Sequence, residues 1–565
     1  MLSKKLSKIL CMLLVLTLIV SFAAACGSSG QSGQSTAGAS DSGSQASTSE
    51  VQANDNSPIT FSMYIPYKWY DHRWDTDIAK AITEKTGVTV DLQVSPVDNG
   101  YEKLDMMIAS DSLPDLVLVD LANAARTKME QGNLVVSIEE LCEKAGSGEL
   151  KKNIGDFSIN WFKNTDGKTY VVPNFVATPE TMKTGKDIES NYVYGVREDM
   201  YKAVGSPDTS TAEGFTKMLK DVKAKFPEVD GKQMIPFLFT DPGTGWSDQF
   251  DGAIAGGFNA NYLPTDEDYL KNYEFPFLKP NYKEAVKFVN RLVREGLIPK
   301  EYYTYKSEQV KELASQGRLF CVAGHSSGGI FTMTNDFVNT HPEARYIPIE
   351  YPRNSKGEEP RLTPGNAGTG WNGTLVTKKC KDVSRAAKFL TFTSSEEGDT
   401  LVNWGVKGVH YTDIGADGLP TFTQEVLDAR KNDYQKTFQN KMGFDSLWLF
   451  GTSFTRFSKL STATRDQAQK ARYEMSNKYA ELDVWFTDNN IKPDATTPEG
   501  LLLKKITEDI KARTLPKLFL AKSDADFEKE WNNMAEKINS EPGLRALYAK
   551  VMEIANSNYN KFKAQ

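Results

Sequence analysis

The sequence predicts an α/β protein of two or more lobes, followed by a mainly helical C-terminal region. Three observations carry this. From Thr60 onward, short apolar runs of strand length alternate with amphipathic helical segments. About 500 residues follow a low-complexity N-terminal stretch, more than a single hydrophobic core usually organises. After about Thr421 the apolar spacing becomes that of helices.

The chain starts with Lys4, Lys5 and Lys8, then the almost wholly apolar run Ile9 to Phe22, then Ala23-Ala24-Ala25 before Cys26-Gly27. A basic start, a short apolar stretch and small residues at the cut describe a secretory signal peptide. At about 14 residues the run is shorter than the roughly 20 that span a bilayer. Small residues before a cysteine resemble the bacterial lipobox, although Ala23 stands where Leu is usual. The expectation is cleavage after residue 25, lipid on Cys26 and anchoring on the outer face of the cytoplasmic membrane of a Gram-positive bacterium. The alternative is an ordinary signal peptide cut near Ala25. Residues 26–57 then form a Gly/Ser-rich linker with almost no large apolar side chains. Such a stretch behaves as a flexible coil with a reach on the order of 30 Å.

The body opens with a predicted strand, Thr60 to Ile65. A helix follows from Asp77 to Thr86, with Ile78, Ala81 and Ile82 on one face and Gly87 as its stop. Thr89 to Val94 is the next strand, Tyr101 to Ala109 a helix, and Leu116 to Val119 a strand after a Pro-containing turn. This βαβαβ order implies a parallel sheet covered by helices. Ser210-Thr211-Ala212-Glu213 fits a capping box. Phe215, Met218, Leu219 and Val222 then follow at i, i+3, i+4, i+7. Thr497-Pro498 starts a helix to about Arg513, and two more run from about Asp524 to Ile538 and Pro542 to Phe562. No internal repeat is visible.

Composition narrows the function. Hydrophobic residues make up 39%, charged 25% and aromatic 11%, with a formal net charge of -7. An acidic chain has no basic surplus with which to bind nucleic acid. Cys142, Cys321 and Cys380 remain after Cys11 and Cys26 are set aside, with no CxxC among them. They read as buried or partly buried thiols, one disulfide among them remaining open in an oxidising compartment. The four histidines, His72, His325, His341 and His410, have no metal-ligand spacing, so no metal is expected. One enzyme pattern matches: Gly324-His325-Ser326-Ser327-Gly328 is G-x-S-x-G, between a predicted strand (Leu319 to Ala323) and a predicted helix (Ile330 to Asn339). A secreted serine hydrolase would use Ser326 with His410, yet no HGGG-type segment precedes it. The competing reading is a Gly/Ser turn lining a cleft.

The aromatic residues point elsewhere. Tyr64, Tyr67, Trp69, Tyr70 and Trp74 crowd the first βα turn. Trp246, Trp371, Trp404 and Tyr411 sit in Gly-rich or turn-like segments. In open α/β sheets ligands bind beyond the carboxyl ends of strands. Flat aromatic faces there suit the C–H faces of sugar rings, while Asp, Asn and Arg bind hydroxyls; core packing is the competing role for each ring.

Several ordered stretches resemble one family. ITFSMYIPYKWYDHRWDTDIAKAITEKTGVTV, YEKLDMMIASDSLPDLVLVD, DGKTYVVPNF, VREDMYKAVGSPDTSTAEGFTKMLKDVKAKFP, GRLFCVAG and NWGVKGVHY are similar to segments of the extracellular solute-binding proteins of carbohydrate ABC transporters, including the long lipoprotein and alginate-binding members. The resemblance implies a type II two-lobed binding-protein fold. Lobe 1 would be residues 58–175 plus about 316–372, with GRLFCVAG as the return to it. Lobe 2 would be about 176–315 plus 373–565 with the helical tail. It implies an oligosaccharide held between the lobes and passed to permease subunits by a monomeric, non-enzymatic protein; a receptor for a peptide or other solute is the alternative. Candidate ligand-binding residues from these stretches are Tyr67, Trp69, Tyr70 and Trp74 in the first turn, Asp120, and the pair Asn174 and Phe175. Further along they are Arg197, Trp246, Ser326, Trp371, Asn372, Trp404, His410 and Tyr411. Some relatives carry a calcium loop where this chain reads FPEVDGKQMIP, with only Glu228 and Asp230 as acidic ligands. Calcium needs six to eight oxygens, so none is expected.

Overall fold

The computed structural model describes residues 56–97, 99–177, 181, 192–239, 250–260, 273–325, 330–362, 369–451, 453–480 and 491–563. Cys26, Trp246 and Ser326 lie outside them. Among the described residues, two sheets are built from β1 (Ile59–Ile65), β2 (Val88–Val94), β3 (Leu116–Asp120), β4 (Val172–Pro173), β5 (Tyr192–Arg197), β6 (Ile235–Leu238), β7 (Leu319–His325), β8 (Tyr346–Ile349) and β9 (Asn372–Val376). The first has the order β2-β1-β3-β9-β4 and the second β8-β5-β7-β6. β1 runs parallel to β2 and β3, whereas β9 is antiparallel to β3 and β4. In the second sheet β5 is antiparallel to β7 and β8, and β6 is parallel to β7.

The helices that position the site are α1 (Asp77–Thr86), α2 (Gly100–Ala109), α3 (Asp156–Trp161), α4 (Ala212–Lys225), α5 (Pro280–Arg294), α6 (Val383–Ser394), α7 (Glu396–Trp404), α8 (Phe454–Thr464), α9 (Gln467–Lys478), α10 (Asp524–Asn539) and α11 (Leu544–Lys563). Local chemistry accounts for their limits. Thr76 caps α1 by accepting from the Ala79 N–H, and Gly87 ends it at φ 69°. Its buried face is Ile78, Ala79 and Ile82, so Ala79 takes the place expected of Ala81. In α4 the predicted face is fully buried: Phe215, Met218, Leu219 and Val222 are each 0% exposed. Its cap lies one residue later than the predicted box. Thr211 accepts from the Gly214 N–H at 3.0 Å, and Gly at that position has no side chain to reach back. The helix predicted after β7 is two short ones, Ile330–Met333 and Asn335–Thr340.

Each sheet has its own core. Phe61, Leu116, Phe389, Leu401 and Phe454 share one, so β1 and β3 pack with α6, α7 and α8. Val196, Phe215, Phe237, Val289 and Cys321 share another, joined by Ile506, Phe519, Phe527, Trp531 and Val551 from the C-terminal helices. This corrects the division expected from sequence. β7, the GRLFCVAG strand, belongs to the second lobe, where Cys321 pairs with Val196 and Phe237. The return to the first lobe is made by β9 at Asn372, and α6 to α8 stay there. The chain then crosses once more, because α9 packs on β8 and β5. An apolar run announces a buried strand but not which sheet pairs with it. Cys321 and Cys380 are buried, Cys142 is partly so, and all three are free thiols. The FPEVDGKQMIP stretch forms a tight hairpin with Glu228–Val229 paired to Lys232–Gln233.

Candidate functional site

Parallel β1 and β3 end on the same side of the first sheet, and the antiparallel β9 begins there, with Asn372 opposite Asp120. β4 ends there too and hands on to Asn174 and Phe175. Chain segments far apart in sequence therefore deliver side chains to one sheet edge. After β1 the chain carries Tyr67, Trp69 and Tyr70; before β9 it carries Trp371; and Trp448 enters from the segment after Gly443.

Their rings form one cluster. Trp69 and Trp371 are nearly parallel, 5° apart in plane with centroids at 6.2 Å. Trp371 stacks with Trp448 at 5.0 Å, and Tyr67 with Trp69 at 5.3 Å and Trp371 at 5.7 Å. Phe175 stacks on the far side of this group with Trp448 at 6.2 Å, and Tyr70 meets Trp448 edge-on at 5.8 Å. Such offset and edge contacts are the favoured aromatic geometries. Trp69 stands out by being 53% exposed, whereas Tyr70, Phe175 and Trp448 are buried. The cluster thus offers one open indole face on a rigid aromatic base.

A polar frame fixes this base. Asn174 is buried, and its Oδ1 accepts from the backbone N–H groups of Trp371 at 3.2 Å and Asn372 at 2.8 Å. Its Nδ2 donates to the Trp448 carbonyl at 3.4 Å, so one side chain ties both tryptophan backbones. Phe175 sits at φ 51°, an uncommon conformation for a residue with a Cβ. The Tyr67 hydroxyl donates to Asn372 Oδ1 and lies 3.2 Å from the Tyr101 hydroxyl, which accepts from the Asp120 N–H at 2.7 Å. Burial pushes the Tyr67 and Tyr101 phenols well above their usual range, so both stay neutral donors. Burial also raises the Asp120 carboxyl, with the Ala122 N–H and Lys492 opposing.

Of the residues singled out by sequence, the structure brings Tyr67, Trp69, Tyr70, Asp120, Asn174, Phe175, Trp371 and Asn372 together. Among the described residues it does not bring Trp74, Arg197, Trp404, His410 or Tyr411 there; Trp246 and Ser326 lie outside them. Trp74 packs against Phe389 and Phe450 inside the first lobe, its indole N–H on Thr83 Oγ1 at 2.9 Å. Trp404 is buried, donates to the Arg456 carbonyl at 3.0 Å and packs edge-on against Tyr411. His410 is buried against Phe444, its Nδ1 accepting from the Val406 N–H at 2.9 Å. Arg197 is held in the second lobe by an ion pair with Asp199 at 2.5 Å and lies over the Phe337 ring. Trp448 and Tyr101 were not foreseen. DSLWLFG reads as a short core run, and Tyr101 as the first turn of a helix. No local signal tells that Trp448 meets Trp371 or that Tyr101 meets Tyr67.

The chemistry of this edge is that of contact and hydrogen bonding. Among the described residues no group of three or more His, Cys, Asp or Glu is arranged to hold a metal ion.

Known proteins share this architecture. A crystal structure of an alginate-binding protein without calcium ion superposes with a TM-score of 0.66 at 19% identity, covering 90% of this chain and 100% of that one. The Streptococcus pneumoniae ABC-transporter substrate-binding protein in complex with kestose superposes with a TM-score of 0.63 at 17% identity, covering 89% and 100%. These likenesses show the two-lobed fold with its helical extension. In sequence, the fructooligosaccharide ABC transporter substrate-binding protein of Streptococcus pneumoniae is 26% identical over 346 residues, 59% of this chain and 60% of that protein. A polygalacturonan/rhamnogalacturonan-binding protein of Bacillus subtilis is 22% identical over 408 residues, 70% of this chain and 74% of that protein. The chain thus spans about three-fifths of the first relative and three-quarters of the second. Residues 77–404, more than half of the chain, match the bacterial extracellular solute-binding proteins, and the chain belongs to that family.

Proposed function

We propose that this protein captures an extracellular oligosaccharide between its lobes and delivers it, unaltered, to the permease of an ABC importer. The observation that carries this is the ring cluster at the carboxyl ends of β1 and β3, with the Trp69 face open above Tyr67, Trp371 and Trp448. A flat apolar face bordered by hydroxyl, amide and carboxylate groups is complementary to a sugar ring, apolar on its C–H faces and polar at its rim. The sugars named for its relatives, fructooligosaccharides and pectic polymers, support the same class. Closure of one lobe on the other by hinge motion would couple capture to recognition by the permease. Lipid on Cys26 would keep a monomeric protein at the outer membrane face within reach of it.

The hydrolase reading has no support in the geometry. Its histidine, His410, is packed in the first lobe with Nδ1 already occupied, while β7 lies in the second sheet. A thermal-shift screen against oligosaccharides and peptides tests the proposal, since a ligand at 100 times Kd adds about 2.7 kcal/mol of stability. A sugar is expected to raise the melting temperature, and Trp69→Ala to cut its affinity at least tenfold, roughly 1.4 kcal/mol, with the apo melting point little changed. A shift with peptides and none with sugars overturns the proposal.

A further inference from the structure

The hydrogen bonds that frame the ring cluster run in one direction. Tyr67 has a single hydroxyl proton and gives it to Asn372 Oδ1. The 3.2 Å bond between the two phenols is therefore donated by Tyr101. The Tyr101 oxygen accepts in turn from the Asp120 N–H at 2.7 Å. The order is Asp120 N–H, Tyr101, Tyr67, Asn372, and the two end residues already face each other in the β3–β9 ladder. The bonds thus close a ring that takes in β3, α2, the turn after β1 and β9. Asn372 Nδ2 is buried with no hydrogen-bond partner, so the bond from Tyr67 is the one that orients this amide.

Tyr101 is itself fastened. Gly100, just before it, lies so close to the turn after β1 that a Cβ there would stand 2.1 Å from the Pro66 carbonyl oxygen. The Tyr64 hydroxyl donates to the Gly100 carbonyl at 2.7 Å. Pro66 precedes Tyr67, so the first turn of α2 is locked to the segment that carries the Tyr67 ring. Tyr101 meets that ring edge-on, with 6.3 Å between centroids and 81° between planes, a favoured geometry. Tyr67 in turn is the ring on which both Trp69 and Trp371 stack. Held at its edge and at its hydroxyl, Tyr67 keeps the two indoles within 5° of parallel.

We infer that Tyr101 is a positioning residue for sugar capture: its hydroxyl and ring edge hold Tyr67, and through Tyr67 the open Trp69 face, with no contact to the sugar itself. That the ligand is a sugar rests on the oligosaccharide reading above.

Calorimetry on a double-mutant cycle in the full chain tests it, with kestose, maltotriose and tri-galacturonate as probes. Tyr101→Phe keeps the ring and removes the hydroxyl. It is expected to weaken the tightest of the three probes about three- to tenfold, the span of one neutral hydrogen bond. Its melting temperature falls as well, because the Asp120 N–H loses its acceptor, but a purely structural cost leaves the sugar affinity of the folded chain unchanged. In a Tyr67→Phe background the Tyr101 hydroxyl has nothing to hold, so Tyr101→Phe is expected to add less than about twofold there. Tyr101→Leu also removes the ring edge; it is expected to weaken binding further, and serves if the phenylalanine variant melts early. Unchanged affinity in both Tyr101 variants overturns the inference. So does a loss of equal size with and without the Tyr67 hydroxyl, which would put Tyr101 in direct contact with the sugar. Both results leave the oligosaccharide reading standing. Binding of peptides and of no sugar overturns that reading alone. The indole bands of near-UV circular dichroism, which need no ligand, then decide: bands unchanged in both Tyr101 variants overturn the positioning role.

Discussion

Asn174 shows how little of a binding surface needs to touch a ligand. Its one amide serves two backbone N–H groups and a carbonyl, and through them holds Trp371 and Trp448 in stacking distance. Truncation leaves these buried groups without partners, at about 1–3 kcal/mol for each group fully orphaned. Asn174→Ala is expected to lose about 3 kcal/mol in urea unfolding and to collapse the coupled indole signal in near-UV circular dichroism. Asn174→Asp, which keeps the acceptor, should recover much of that signal. His410 gives the protein a pH limit. Burial holds its imidazole below the usual range, Asp77 and Glu425 opposing and Lys441 reinforcing. A depressed folded-state pKa means that the unfolded chain binds the proton more readily. The stability it contributes is complete above about pH 6.5, the ordinary imidazole value, and is lost as pH falls through the folded-state pKa. Denaturant unfolding at pH 7 and pH 5 should show this loss, and His410→Gln should reduce the difference between the two.

At the scale of elements, β9 is the piece that assembles the site. It lies between β3 and β4, and Gly373 lets it sit there. A Cβ at that position would stand 2.1 Å from Val171 Cγ2 and 3.0 Å from Leu121 Cδ2, both side chains of neighbouring segments. Gly373→Ala is therefore expected to cost about 2 kcal/mol, the usual range for overpacking a sheet core, read as a lower melting temperature. Periodicity reported α1, α4 and the first three strands almost to the residue, because their apolar spacing and caps are local. The resemblance put β7 in the first lobe, because a continuous apolar run does not say which sheet pairs with it, and β9, whose sequence is NGTLV, carries no such run to announce it. The same limit applies to the rings. Trp404 and Tyr411 sit in a turn-like sequence yet pack inside, and Trp448 sits in a core-like run yet reaches the cluster. What separates them is the position of α7 and β9 in space, which no window of sequence contains.

Among the described residues the apolar side chains form three clusters, two on the faces of the first sheet and one about the second, and the C-terminal helices are more than an appendage to the last. α11 begins among Leu547 and Val551 in that core and ends against α3 of the first lobe. There Lys561 lies over the Trp161 ring at 5.9 Å. Burial lowers the Lys561 ammonium pKa, in keeping with a contact that is more than superficial. A two-lobed α/β body with a helical tail was legible from length and alternation. That the tail spans both lobes was not, since an amphipathic helix declares one buried face and not what covers each turn of it.

The entry to β1 is clasped from α6. Arg385, buried in α6, donates to the Ser57 carbonyl at 2.7 Å and to its hydroxyl at 3.1 Å, and holds the Thr86 carbonyl beside it. β1 runs from that clasp to the ring cluster, so roughly 23 Å of strand, at about 3.3 Å per residue, separates the two. Everything that forms the ring cluster lies beyond the clasp. On the lipid anchoring proposed for Cys26, a proteolytic cut ahead of Ser57 would leave every described residue of the ring cluster on the released side, where it would compete for the same ligand.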